Sequence, residues 1–75
     1  MEWRKILFVD EDSWEKQYDV FSDDGIHELG RLVYSTEYGW QSIIKGEVEC
    51  LDDAETLDDA KKSFKEKLQF VNNDL

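Results

Sequence analysis

The stretch Thr56-Leu-Asp-Asp-Ala-Lys-Lys-Ser-Phe-Lys-Glu-Lys-Leu-Gln-Phe-Val71 predicts the one helix on which the rest of the chain packs. We expect the Thr56 hydroxyl to accept a hydrogen bond from a free backbone N–H of the first turn, with Asp59 at the positive end of the helix dipole. The helix should cover about residues 57–71 and end at Asn72-Asn73. Its apolar residues recur at helical spacing and form one continuous stripe, made of Leu57, Ala60, Phe64, Leu68 and Val71.

Upstream of the helix, short apolar or alternating runs are separated by turn residues, which is typical of β-strands joined by hairpins. Glycines in Asp24-Gly25 and in Glu37-Tyr-Gly39 can supply the positive φ angles that tight turns need. Lys45-Gly46-Glu47 allows two interpretations, a reversal into a fifth strand or a glycine bulge within one long strand. We favour the reversal. The predicted strands are residues 3–9, 14–21, 28–36, 40–44 and 48–51.

These elements predict a single domain over residues 1–75, of the α+β class: a small antiparallel β-meander of four to five strands with one C-terminal helix packed on one face. Strands lie about 4.8 Å apart and a helix is about 10–12 Å wide, so the helix covers two or three strands. Strands one, three and four nevertheless carry apolar residues on both faces, so one set stays uncovered: Ile6 and Phe8 against Trp3, Leu7 and Val9; Leu32 and Tyr34 against Leu29 and Val33; Trp40 and Ile44 against Ile43. A curled sheet, the chain ends, a second copy of the protein or another protein could each cover them.

The charge balance indicates what the protein binds. Nineteen acidic residues against nine basic ones give a formal net charge of −10. Such a chain repels nucleic acids and anionic membranes and attracts basic protein surfaces. We therefore expect a basic protein partner, such as a nucleic-acid-binding or nuclease complex, and no direct contact with nucleic acid or membrane. The alternative explanation is that the acidity only keeps a small protein soluble.

The acidic residues are clustered along the chain. Seven acids and no base lie between Glu47 and Asp59, and further groups occupy residues 10–12 and 23–28. In a five-stranded meander the turn at 10–12, the turn at 37–39 and the connection at 51–56 share one end of the sheet. The acids at 10–12 and those of the 51–56 connection would then converge there, beside Trp14 and Tyr38. The predicted partner-binding residues are Asp10, Glu11, Asp12, Trp14, Tyr38, Glu47, Glu49, Asp52, Asp53 and Glu55.

Sites for catalysis, cofactors or metals find no support in the sequence, so we expect a protein that is not an enzyme and has no cofactor. A calcium loop beginning at Asp10 would need glycine at its sixth position and glutamate at its twelfth, where Glu15 and Phe21 stand. The single histidine, His27, should be exposed beside a turn. The single cysteine, Cys50, should be a small buried residue. One cysteine also favours a reducing compartment, and we expect a cytoplasmic protein.

The layout of a small meander, a Thr-Leu-Asp-Asp-Ala helix start and strong negative charge is similar to that of many small phage and mobile-element proteins. The resemblance implies an acidic inhibitor, of the anti-defence or nucleic-acid-mimic kind, that blocks a basic nucleic-acid-handling protein. One alternative is an immunity protein or antitoxin directed against a nuclease toxin. Another is a small dimeric structural module with no inhibitory role.

Overall fold

The computed structural model describes residues 1–6 and 14–73, and for residues 70–73 it describes the backbone alone. A five-stranded antiparallel sheet in the order β1-β2-β3-β4-β5 carries one helix, α1, on one of its faces. This confirms the predicted α+β meander with a C-terminal helix. Within the described ranges, no helix is both long and apolar enough to cross a membrane. The elements are β1 Glu2–Lys5, β2 Lys16–Phe21, β3 Glu28–Ser35, β4 Gly39–Ile44, β5 Glu47–Cys50 and α1 Leu57–Asn73.

The first two strands differ in extent from the prediction. β1 begins at Glu2, and residues 7–9 of the predicted first strand lie outside the described residues, as does the predicted turn at residues 10–13. β2 begins at Lys16 and not at Trp14. The side chains of β2 alternate between the two faces: Val20 is buried in the core beneath the helix, and Gln17 lies on the other face.

The connection between β4 and β5 is a reversal, and the alternative of a glycine bulge is wrong. Ile44 pairs with Glu47, which leaves only Lys45 and Gly46 in the loop. Both loop residues have positive φ, 54° and 80°, as a type I′ hairpin turn requires. Glycine adopts a positive φ without steric cost. Other residues rarely do, and Lys45 is an exception that the turn holds in this conformation.

The core lies between the sheet and α1. The helix begins as predicted: the backbone N–H of Asp59 donates to Thr56 Oγ1 at 3.2 Å, and the next N–H, of Ala60, donates to the Thr56 carbonyl at 3.0 Å. Leu68 packs partly buried against the same core. The buried apolar residues on both sides of the interface are Val20, Leu32, Trp40, Ile44, Leu51, Ala60 and Phe64.

Phe64 is the central contact between helix and sheet. It is fully buried, and its ring meets that of Trp3 edge to face, with 5.5 Å between the centroids. It also lies over Gly30 of β3, where a Cβ atom would stand 3.0 Å from Phe64 Cζ and 2.5 Å from the carbonyl oxygen of Ile43. The absence of a side chain at Gly30 therefore makes the space into which the ring fits.

A β-bulge corrects the predicted position of Leu29. Val20 pairs with Gly30 while Phe21 pairs with Glu28, so Leu29 is an extra residue on β3 with no partner of its own in β2. Strict alternation predicted Leu29 on the face of Val33, opposite the face of Leu32. In the structure it is partly buried against the helix-side core, because the bulge breaks the alternation.

The face of the sheet away from α1 is unevenly buried. Val33 in the central strand is fully buried, Ile43 in β4 is half-buried, and Val48 in the edge strand is 53% exposed. Ile43 and Val48 are direct cross-strand partners. The uncovered apolar surface is therefore concentrated at the β5 edge.

Replacing Phe64 with alanine should lower the free energy of unfolding by about 3–5 kcal/mol, because a fully buried aromatic ring is removed from a small core. Thermal denaturation followed by circular dichroism measures the change. Lys65→Ala on the exposed side of the same turn is the matched control and should change the melting temperature little. A Phe64→Ala protein that melts close to wild type would show that this ring is not the central contact.

Gly30→Ala should lower the free energy of unfolding by about 1–3 kcal/mol, because the added methyl group overlaps the backbone and forces the Phe64 ring to move. Gly39→Ala is the comparison, since a Cβ atom there meets nothing within 4 Å. Gly39→Ala should lower the free energy of unfolding by only about 1 kcal/mol, because alanine there must adopt a left-handed backbone conformation. Equal loss of stability in the two variants, measured by urea denaturation, would contradict the close packing of Phe64 over Gly30.

Candidate functional site

A groove of about 550 Å³ separates the edge strand β5 from α1. It forms because the chain leaves β5, makes a short connection and returns across the sheet as the helix. Leu51 fixes the start of this connection: it is buried, its N–H donates to the Trp40 carbonyl at 2.9 Å, and its own carbonyl accepts from Ala54 at 3.0 Å. The groove thus stands on ordered backbone, with Ser42, Ile44 and Leu51 among its lining residues.

The charged residues of the groove are nearly all acidic. Lys67 is the one base, and its Nζ lies 2.5 Å from Oε2 of Glu49. Both side chains are substantially exposed, so this ion pair adds little to stability. None of the other groove carboxylates takes part in a salt bridge within the described ranges. The carboxylates that line the groove belong to Glu47, Glu49, Asp52, Asp53 and Glu66.

Acids at the opposite end of the sheet, by contrast, have partners. Asp24 accepts from the Ser22 hydroxyl and from the Ile26 N–H at 3.0 Å, and the Ser22 hydrogen bond is the main cause that lowers the pKa of this carboxyl. Glu28 lies 3.4 Å from the Arg31 guanidinium. On the outer strand β1, the hydrogen bond from Arg4 lowers the pKa of Glu2. Local turn and pair chemistry accounts for these acids, whereas within the described ranges only Glu49 among the groove acids has a salt-bridge partner.

Four of the predicted partner-binding acids, Glu47, Glu49, Asp52 and Asp53, line the same groove. Glu55 is exposed but lies outside the groove lining. The predicted group at residues 10–12 lies outside the described residues, so its convergence with the groove stays a prediction.

The two predicted aromatic anchors differ in exposure. Tyr38 is 62% exposed in the turn between β3 and β4, at the end of the sheet where the chain leaves β5. Trp14 is half-buried just before β2. Of the two, Tyr38 alone exposes most of its side chain.

Sequence reasoning missed the helix side of the groove. Ser63, Glu66 and Lys67 stand at helical positions i, i+3 and i+4, on the flank of the apolar stripe that turns toward β5. Their spacing could have indicated a shared flank. Only the strand order, however, shows that the flank faces the acidic edge strand.

Cys50 corrects another expectation, because its side chain is exposed rather than buried. It pairs across the strands with Gln41, whose Nε2 lies 3.6 Å from the sulfur, on the face away from α1. Leu51, the next residue, takes the buried position. His27 is exposed, as predicted.

Groups that would bind a metal are not found: no three His, Cys, Asp or Glu side chains among residues 1–6 and 14–69 come together as a metal-binding group. In the same part of the chain, every buried side-chain nitrogen or oxygen has a hydrogen-bond partner. The groove carboxylates at Glu47, Glu49, Asp52, Asp53 and Glu66 are all on exposed residues.

No protein-family model, curated protein or solved structure matches this chain.

Glu47→Lys should raise the free energy of unfolding by about 0.2–1 kcal/mol at low ionic strength, because it removes one of several like charges around the groove. The gain should shrink at high salt, which screens exposed charges. Melting temperatures at low and high salt measure both effects. Glu37→Lys, an exposed reversal in the β3–β4 turn, is the control for the change in net charge. Equal gains in the two variants would mean that the groove acids repel one another no more than the rest of the surface.

Proposed function

We propose that this protein is a non-enzymatic acidic inhibitor that binds a basic, nucleic-acid-handling protein, in the manner of a nucleic-acid mimic. The observation that supports the proposal best is the groove beside β5, where only one of five carboxylates, that of Glu49, has a basic partner in the described structure. Grouped like charges cost stability unless something compensates them. A basic partner surface would supply that compensation.

Carboxylates can stand in for phosphates on such a surface. Arginine and lysine side chains that neutralise phosphates also form charge-assisted hydrogen bonds with carboxylates, often two at once in the case of arginine. The net charge of −10 would attract such a target from a distance. Association should therefore be fast and should weaken as the salt concentration rises. Occupying the basic surface would exclude nucleic acid from it.

Tyr38 is the aromatic anchor in this proposal. It projects from the end of the sheet near the acidic connection and exposes 62% of its surface. Aromatic residues enclosed at an interface carry a large share of the binding energy, whereas surrounding charges act mainly on the association rate. Trp14 is a weaker candidate because it is already half-buried. We place the protein in the cytoplasm, since its one cysteine is an exposed thiol that suits a reducing compartment.

The same surface would serve an immunity protein or antitoxin that occupies a nuclease toxin. The two functions separate on the identity of the partner: a toxin kills cells that lack the antitoxin, whereas an inhibited host protein does not. A dimeric structural module is the third function considered. The exposed Val48 and its neighbour Ile43 are apolar surface that a second copy could cover.

Asp52→Lys/Asp53→Lys should strongly weaken binding to the partner while the fold stays intact, because both side chains are exposed and precede the helix cap. The partner is first captured from a host lysate at low salt, and its affinity is then measured at physiological salt by isothermal titration calorimetry. Four units of charge change at the groove should weaken binding by roughly 100-fold. Adding the wild-type protein should also displace nucleic acid from the captured partner.

Asp23→Lys/Glu28→Lys is the matched control, with the same charge change at exposed positions of the other sheet end. It should weaken binding far less. Glu55→Lys, next to the groove but outside its lining, should have an intermediate effect. Wild-type affinity of Asp52→Lys/Asp53→Lys at physiological salt would contradict the proposal, and so would a captured partner whose nucleic-acid binding is unaffected.

A further inference from the structure

The outer edge of β5, the last strand in the sheet order, has backbone groups that no described strand pairs with. The N–H of Leu51 turns inward to the Trp40 carbonyl. Since backbone groups of an antiparallel ladder alternate in direction, Glu49 also turns toward β4. The N–H and C=O groups of Val48 and Cys50 therefore point outward, and all residues of the strand are exposed.

The two faces of this edge differ chemically. Glu47 and Glu49 line the groove on the helix side, where Glu49 meets Lys67. Val48 and Cys50 lie on the opposite face, beside the half-buried Ile43. A strand added to this edge would therefore have acids next to every second residue and apolar surface next to the residues between them.

We propose that β5 receives an extended segment of the partner protein as a sixth, antiparallel strand, with basic and apolar residues in alternation. The inference rests on the proposed function and names the form of the partner. Apolar residues of the segment stand opposite Val48 and Cys50, and their backbone N–H and C=O groups exchange hydrogen bonds with those of Val48 and Cys50. Basic side chains stand opposite Glu47 and Glu49 and reach into the acidic groove.

A second copy of this protein is a poor occupant of the same edge. If two β5 strands paired antiparallel through the outward groups of Val48 and Cys50, Glu49 would lie directly opposite Glu49 of the other copy. Like charges directly opposite each other destabilise a strand pair. The adjacent groove acids would add to the repulsion. The charges at this edge therefore select a basic strand and reject the edge of an identical molecule.

A short fluorescent peptide of alternating lysine and valine is the probe. It should bind the protein at low salt, and a peptide of the same composition with its lysines and valines in separate blocks should bind about tenfold more weakly. Two further peptides separate strand pairing from charge. N-methylation of the valines removes the N–H groups that face β5, whereas N-methylation of the lysines removes those that face away.

The N-methyl-valine peptide should bind about tenfold more weakly than the parent peptide, and the N-methyl-lysine peptide should bind nearly as well. Fluorescence anisotropy measures all four affinities. On the protein side, Val48→Pro removes one outward N–H without breaking the ladder to β4, because proline is tolerated at a strand edge. It should reduce parent-peptide binding, whereas Val48→Thr should not.

Equal binding of the two N-methylated peptides, or of the block and alternating peptides, would overturn strand addition. Asp52→Lys/Asp53→Lys then decides what remains: if it still weakens binding of the captured partner, the proposed function stands without the added strand. If the reversals leave partner binding unchanged but the two N-methylated peptides still differ in affinity, the proposed function is overturned. β5 then remains a strand-binding edge. If the protein sediments as a dimer and Val48→Pro converts it to monomers, a second copy occupies this edge. That result would contradict the proposal.

Discussion

The packing of the Phe64 ring over Gly30 is the contact on which the structure depends. One helix packs on the five-stranded sheet, and this ring lies so close to β3 that a Cβ atom at Gly30 would stand 3.0 Å from it. Trp3 brings the outermost strand β1 to the same ring, so one side chain joins an edge strand, the central strand and the helix. Lys61 adds a cation–π contact over the Trp3 ring at 5.4 Å. The same helix forms one wall of the groove through Ser63, Glu66 and Lys67.

Much of the fold could be predicted from local pattern, because each element carries its own signal. The stripe through Phe64, the Thr56 cap and the turn glycines correctly gave the helix, the hairpins and the reversal at Lys45-Gly46. Leu29 could not be placed, because the bulge that redirects it depends on how β2 pairs with β3. Cys50 was misjudged for a similar reason: its side of the strand is set by which neighbour, Leu51, enters the core.

The candidate site was only half predictable. The acids of β5 and of the connection are adjacent in sequence, so their charge density is visible without a structure. Glu66 and Lys67 lie in a later element and come to the groove only through the path of the chain. The sequence also could not show that acids elsewhere, such as Asp24, serve local turns. That comparison makes the groove carboxylates distinctive, since most of them have no internal role in the described structure.

The two-residue turn at Lys45-Gly46 sets more than the direction of the chain. A strand has a period of two residues, so a turn one residue longer or shorter would rotate every side chain of β5 to the other face. Glu47 and Glu49 would leave the groove, and Val48 would enter it. All residues of β5 are exposed, so a one-residue insertion in this turn would remove no buried contact of the strand. It would nevertheless replace the acidic side chains of β5 that line the groove with apolar ones. The length of this hairpin therefore fixes the chemical identity of the surface as firmly as the residues of β5 do.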